Sequence, residues 1–333
     1  MSGEDAVFQE QCLVVHHAVV PGAGEDCFAF YTTPQGGYLC VADGCGGLGS
    51  KRYPAFGDRT GAYLAAHLVT RVIRTEVAGM FPLPGSREEV QELCASLGTT
   101  LNASLKQFED IHGGLQSVRI VGRMFRAMPT TLCLMLMESS AAYLDCLCLW
   151  AGDSRAYLLS SDGLHQLTAD HTLSSPDAME NLYKDAPLTN LLSAETEGTL
   201  SGRRMRAATP CVAMVATDGA YAYLKTPMEM EWLLLSTLYD ATSMAGWQKK
   251  IQNTLVKVAS DDSTLLLTAF GYQDFNAIRA GLDVRRLALQ QEYITPVRRR
   301  KADFEYAKAK WRNYVGNYDW TERTAQGGPD WRV

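Results

Sequence analysis

The 333-residue chain has no apolar run that reaches the roughly 18 residues a membrane-spanning helix needs, so no membrane partner is expected. Its first eleven residues lack the basic segment and apolar core of a secretory leader; Met1 to Gln11 is acidic and polar. Net positive charge is missing as well. A formal balance of -6 argues against general nucleic-acid binding. The nine cysteines are an odd number, and neither Cys146-Leu147-Cys148 nor the scattered remainder gives paired zinc-ligand spacing. Cys40, Cys133, Cys146 and Cys148 lie in apolar runs, a usage that fits reduced, buried thiols in a cytoplasmic protein. No repeat of fixed length runs through the chain.

What is present is a series of short apolar runs: Cys12–Val20, Cys27–Tyr31, Tyr38–Ala42, Thr131–Met137, Tyr143–Ala151, Ala156–Leu159, Cys211–Ala216 and Thr264–Phe270. Their lengths suit strands of a buried sheet or sandwich, and glycine-containing turns separate them. Helical spacing marks Thr60–Thr75, and Arg87–Phe108 and Thr226–Leu238 are further helix candidates. Strand groups interrupted by helix pairs, without regular βαβ alternation, predict an α+β layered domain. The stretch Thr172–Ala208, mixed in Ser, Pro, Asp and Gly, reads as a surface excursion.

After Phe270-Gly271 the character changes. Phe275–Gln291 and Val297–Tyr314 read as two helices broken at Thr295-Pro296, followed by a glycine-rich aromatic end. Residues 273–333 carry twelve Lys or Arg against eight Asp or Glu, whereas the preceding residues carry nineteen against twenty-nine. The division expected is a domain over 1–272 and an extension over 273–333 that docks on it or binds a partner. The aromatics Tyr306, Trp311, Tyr314, Tyr318, Trp320 and Trp331 would anchor it.

The most informative residues are acidic. Asp43 follows the run Tyr38–Ala42 and opens the turn Gly44-Cys45-Gly46-Gly47, where glycines allow backbone and ion to approach closely. Glu25-Asp26, Asp218-Gly219 and Asp261-Asp262 stand at other strand ends or turns. Carboxylates so far apart in sequence converge only through folding, and an oxygen-only donor set suits Mg²⁺ or Mn²⁺.

In this order the elements resemble the metal-dependent serine/threonine protein phosphatases of the PPM (type 2C) family, from about Gly24 to Gly271. The resemblance is carried by Glu25-Asp26-Cys27-Phe28, Val41 to Gly47, Thr130-Thr131-Leu132 and Trp150 to Leu158 with its Gly-Asp-Ser-Arg turn. Leu167 to His171, Ala216 to Gly219 and Ser260 to Thr264 complete it. It implies a four-layer α/β/β/α sandwich of two antiparallel sheets flanked by helices, with two Mg²⁺ or Mn²⁺ ions at one end. It further implies that Asp43 bridges both ions. Glu25 and the Gly44 carbonyl would serve one ion, Asp218 and Asp261 the other, and Asp26 would act through metal-bound water. Asp43 and Asp26 would thus stand at the catalytic position. The implied reaction is hydrolysis of phosphoserine or phosphothreonine in a protein by water or hydroxide shared between the ions. A phosphorylated protein and possible cognate kinase follow as partners. The alternative is a weak or inactive module of this fold that binds a phosphorylated partner or a kinase.

The chain departs from the family pattern in three places. Pro21-Gly22-Ala23-Gly24 holds no arginine ahead of the Glu-Asp element, so phosphate capture is expected from Arg52 or Arg59, in a long segment that also carries Lys51. Cys45 replaces the common histidine or methionine. The approach Arg119 to Pro129 contains three arginines and no carboxylate, so a third ion there is not expected. Among the other polar residues, Asp153 reads as a turn cap, Arg155 as the partner of a carboxylate, and His171 as a packed turn histidine. His16 and His17 must face opposite ways in a strand.

Overall fold

The run Leu132-Cys133-Leu134-Met135-Leu136-Met137 is split between two cores. In the computed structural model Leu132, Leu134 and Leu136 pack beneath helices, while Cys133, Met135 and Met137 face a second sheet. Both faces are covered, so the sequence is continuously apolar. The structure describes residues 12–114, 126–173, 177–183, 186–195, 198–300, 303–319 and the strand pair position 331–332.

Thirteen described strands occur: β1 Leu13–His17, β2 Cys27–Thr33, β3 Gly36–Ala42, β4 Arg52–Tyr53, β5 Arg59–Thr60, β6 Leu132–Ser139, β7 Tyr143–Ala151, β8 Arg155–Ser160, β9 Gly163–Gln166, β10 Ser201–Ala208, β11 Cys211–Ala216, β12 Ser263–Phe270 and β13 Trp331–Arg332. One antiparallel sheet runs β1-β12-β11-β8-β9, the other β13-β10-β7-β6-β3-β2, and β4 with β5 forms a separate small hairpin. Leu39, Val41, Met135, Trp150, Leu158 and Leu266 belong to the core between the large sheets.

Helices α1 (Gly61–Glu76) and α2 (Arg87–His112) cover the outer face of the six-stranded sheet. Thr60 caps α1 by accepting the Tyr63 N–H at 3.1 Å, and Ser86 with Glu89 forms a capping box on α2. The short α3 (Ala178–Asn181) comes next in the chain. Helices α4 (Pro227–Tyr239), α5 (Met244–Leu255) and α6 (Phe275–Leu289) cover the five-stranded sheet; α7 (Thr295–Arg299) and α8 (Phe304–Tyr318) follow. The result is the expected α/β/β/α order, with two antiparallel sheets inside. Among the described residues no helix is long and apolar enough to cross a membrane, and all nine cysteines are free.

Two sequence readings require correction. Thr172–Ala208 is not an excursion throughout: its last eight residues form β10, paired along its whole length with β7. Arg206 lies opposite Asp145 in that register and grips its carboxylate with two 2.9 Å bonds, so charge is satisfied within the sheet. Nor does the chain break at Thr295-Pro296. A π-helical turn over Gln290–Ile294 leads directly into α7, and the Thr295 N–H reaches back to the Gln290 carbonyl. The widened turn accommodates a proline ring and its missing donor without ending the helix. α7 ends at Arg299, and α8 begins at Phe304.

The extension is integrated into the core. Phe275, Ile278, Leu282 and Leu289 of α6, and Trp311, Tyr314 and Tyr318 of α8, are buried in the same cluster as Val15, Tyr157 and Leu267 of the sheet. Glu231 of α4, fully buried, receives two bonds from Arg285 at 2.6 and 2.8 Å and another from the Tyr314 hydroxyl. Trp320 lies outside the described residues, as do the N-terminal eleven and most of the Arg119 to Pro129 approach.

Candidate metal centre

Asp43 leaves the end of β3, where its backbone is fixed on both sides. Its N–H donates to Thr131 Oγ1 at 3.1 Å, while its carbonyl accepts from the Thr130 hydroxyl and the Thr131 N–H, both at 2.8 Å. The glycines behind it have a visible steric role. A Cβ on Gly44 would lie 2.5 Å from the Ala62 carbonyl oxygen, and one on Gly46 would lie 2.0 Å from Glu25 Oε2. Gly46 therefore leaves room for the Glu25 carboxylate beside the turn. Thr60, the cap of α1, donates its hydroxyl to Glu25 Oε1.

The other acidic segments are tied together across the sheet. Asp26 is buried, and its Oδ2 accepts from Thr217 at 2.8 Å and Thr264 at 2.7 Å. Its Oδ1 is buried with no hydrogen-bond partner. Asp262 accepts from the backbone N–H groups of Val19 and Glu25 at 2.9 and 2.7 Å, which anchors the β1–β2 connection. Asp261 is exposed, and one of its carboxylate oxygens accepts the Asp262 N–H at 2.8 Å.

The carboxyls disturb one another. Burial first, then Asp218, Asp26, Asp153 and Asp261, holds Asp43 well above the ordinary range. Asp26 and Asp218 are each pushed up to about 7, chiefly by burial, with Asp262 and Asp261 respectively the largest neighbouring charges. Asp218 and Asp43 lie close enough for each to influence the other's ionisation. Partial burial also raises Glu25 and Asp261. Cys45 lies in the same field: burial, Asp43, Asp153, Asp218 and Glu25 keep its thiol protonated.

Among the described residues no three Asp, Glu, His or Cys side chains close on one metal-sized point. The donor set nonetheless fits hard divalent cations. Asp43, Asp26, Asp218, Asp153 and Asp261 are near enough to oppose one another's ionisation, one buried oxygen of Asp26 is unpartnered, and the donors are all oxygen.

Asp153 was readable only as a turn cap. Burial first, then Asp218 and Asp170, holds its carboxyl well above the ordinary range, so it belongs to the acidic group. Arg155 forms a bidentate pair with Asp170 at 2.9 and 2.6 Å, as its neighbourhood suggested. His171 is packed: it stacks on Trp150, accepts the Gly152 N–H at Nδ1 and meets Ser201 Oγ at Nε2. Sequence reasoning gave no role to Thr217 and Thr264, whose function depends on contacts too distant to leave a local signal.

The candidate cations differ in availability. Lys51 is bound to Glu109 at 2.5 Å. Arg59 donates to the Gly22 carbonyl and stacks 4.4 Å over Tyr63. Arg52 is exposed, holds the Asp58 carbonyl at 2.7 Å and lies near enough to Glu25 to favour its ionised form.

No protein-family model and no curated protein matches the sequence. Solved structures do. The serine/threonine phosphatase Stp1 from Staphylococcus aureus aligns with a TM-score of 0.54 at 16% identity, covering 81% of this chain and 99% of its own. PstP/Ppp from Mycobacterium tuberculosis gives 0.53 at 16%, covering 79% and 99%. A structure of the PstP catalytic domain in complex with two manganese ions gives 0.50 at 17%, covering 78% and 98%. The chain therefore has the fold of the PPM-type serine/threonine phosphatases.

Proposed function

We propose that this chain is a metal-dependent phosphoprotein phosphatase acting on phosphoserine or phosphothreonine. The observation that carries the reading is the buried, unpartnered Asp26 Oδ1 in a group where Asp43, Asp218 and Asp26 oppose one another's ionisation, on a phosphatase fold. Glu25, Asp43 and the Gly44 carbonyl would hold one divalent ion, and Asp43, Asp218 and Asp261 the other. Bound Mg²⁺ or Mn²⁺ would neutralise phosphoryl charge and make a nucleophile of water near neutral pH. The chain's own residues prepare for this: Thr130 and Thr131 fix Asp43, Thr60 holds Glu25, and Thr217 and Thr264 fix Asp26. Both arginines are engaged, Arg52 by Asp58 and Arg59 by Gly22 and Tyr63; Arg52 is the better candidate for the substrate phosphate because it is the more exposed and lies near Glu25. The manganese-bound relative favours a two-ion centre. We assign the phosphatase-like segment to residues 1–272, an extension that completes its core to 273–333, and the free thiols to a reducing cytoplasm. A cognate kinase would supply the substrate.

The missing arginine in Pro21–Gly24 favours a second reading, a module that binds phosphorylated partners without turnover. Hydrolysis of a phosphothreonine peptide with Mn²⁺, Mg²⁺ or EDTA, beside Asp218→Asn and Arg52→Ala, separates the two. Metal-dependent turnover that Asp218→Asn removes supports the phosphatase. Retained metal binding without turnover favours the binding module.

A further inference from the structure

Trp311, in the middle of α8, is 1% exposed, and its indole N–H donates to both oxygens of Asp177 at 3.0 and 2.9 Å. Asp177 caps α3, accepting the N–H groups of Met179 and Glu180. From the far end of this single turn, Asn181 donates to Asp170 Oδ2 at 2.8 Å. Asp170 grips Arg155, and both side chains are almost wholly buried. The Arg155 guanidinium lies 3.7 Å over the Tyr221 ring, and the Tyr221 hydroxyl donates to the Asp153 carbonyl at 2.7 Å. The Tyr221 N–H and Ala222 N–H close the turn at the Asp218 carbonyl, at 2.9 and 2.7 Å. A continuous series of polar and stacking contacts thus joins the extension to the turns that carry Asp153 and Asp218. A second line runs beside it, where the Tyr318 ring meets Tyr157 edge-on and Tyr157 accepts from Arg155 at 3.4 Å.

We propose that α8 is a positioning element of the acidic centre, with Trp311, Asp177 and Asn181 as positioning residues that act through the Asp170–Arg155 pair. A buried ion pair holds its geometry only when its remaining hydrogen-bonding capacity is filled, and Asn181 fills part of that of Asp170. A four-residue helix has no stability of its own, so α3 keeps Asn181 in place only while its cap is held. Trp311 holds that cap. The metal-affinity consequence rests on the reading under Proposed function; the positional claim does not.

The test uses the full chain. Trp311→Phe keeps an aromatic ring and removes the donor. Tyr314→Phe, on the same helix, removes the bond to Glu231 and does not touch Asp177. Amide hydrogen exchange is read without metal at residues 218–222, and Mn²⁺ affinity separately by calorimetry. Trp311→Phe is expected to speed exchange of the Tyr221 and Ala222 amides and to weaken Mn²⁺ binding several-fold, less than the about tenfold or more that loss of a direct outer-shell partner causes. Tyr314→Phe lowers thermal stability and changes neither. Adding Asn181→Ala to Trp311→Phe gives less than the summed effect if both act along one series. Should Trp311→Phe fail to fold, Asn181→Ala carries the same test alone, because it cuts the series nearer Asp170. Faster exchange confined to 177–183, with 218–222 as in the wild type, overturns the proposal. So does an equal response to Tyr314→Phe. Absence of turnover or Mn²⁺ binding in the wild type overturns the phosphatase reading and leaves the exchange result standing.

Discussion

Thr264 donates its hydroxyl to Asp26 Oδ2 at 2.7 Å, although 238 positions of chain separate them. The bond lies in the interior of the sandwich, beside the equivalent bond from Thr217. Thr264→Val keeps the side-chain shape and removes one of two donors to a buried carboxylate, together with the 2.9 Å contact of the same hydroxyl to His16 Nδ1. A bond to a charged group is worth about 1.5–3 kcal/mol, and a loss of that size is expected in denaturant unfolding at pH 8. A loss below 0.5 kcal/mol (about the effect of a surface change) would mean that the Asp26 carboxyl is not ionised there.

The raised carboxyls set a pH dependence opposite to that of ordinary ion-paired acids. Asp26 and Asp218 are pushed up to about 7 from an unperturbed 3.8. Between those values the native chain holds more protons than the unfolded chain, so stability falls as pH rises toward 7. Metal-free protein is therefore expected to melt lower at pH 8 than at pH 5. The difference should be at least about 2 °C, the shift that ~1 kcal/mol gives in a large domain. Saturating Mn²⁺ should offset the fall, since the ion takes the place of the protons. A flat or rising melting point in EDTA would contradict the assignment.

Two adjacent arginines of α6 should differ sharply. Arg285 pairs with the fully buried Glu231, and Arg286 pairs with the partly exposed Asp283. Arg285→Ala leaves a buried charge unmatched and is expected to destabilise by about 3–5 kcal/mol. Arg286→Ala removes a pair worth about 0–1 kcal/mol. Parallel urea titrations of the two variants provide the comparison; equal losses would mean that Glu231 is held by Tyr314 alone.

Truncation after Tyr272 removes Phe275, Ile278, Leu282, Trp311 and Tyr314 from the core they share with the five-stranded sheet. Burial of each such side chain is worth about 1.5–3 kcal/mol, so their joint loss exceeds the stability of a typical domain. The shortened chain is expected to be insoluble or aggregated by size-exclusion chromatography. A soluble, folded product would make the extension a separable module.

Much of the architecture was legible because strands covered on both sides are apolar throughout, as in Leu132 to Met137. The acidic turns were legible because Asp43, Asp218 and Asp261 sit beside glycine or a second acid at strand ends. β10 was not, since Arg203, Arg204 and Arg206 resemble a loop until Asp145 and the Pro84 carbonyl are seen to receive two of them. Pro296 suggested a break because a π turn has no clear sequence signal. Asp177 and Trp311, 134 positions apart, met only in three dimensions.

The long span between Asp26 and Thr264 also bears on when the centre comes into being. Closing so large a loop is entropically demanding and is deferred until β12 has joined its neighbours. A chain still being synthesised has Glu25, Asp26 and Asp43 but no Asp261 beside them, and so no complete cage for an ion. On the reading proposed above, divalent cations would be spectators of folding and would act only on the finished structure, slowing its opening while leaving the rate of its formation alone.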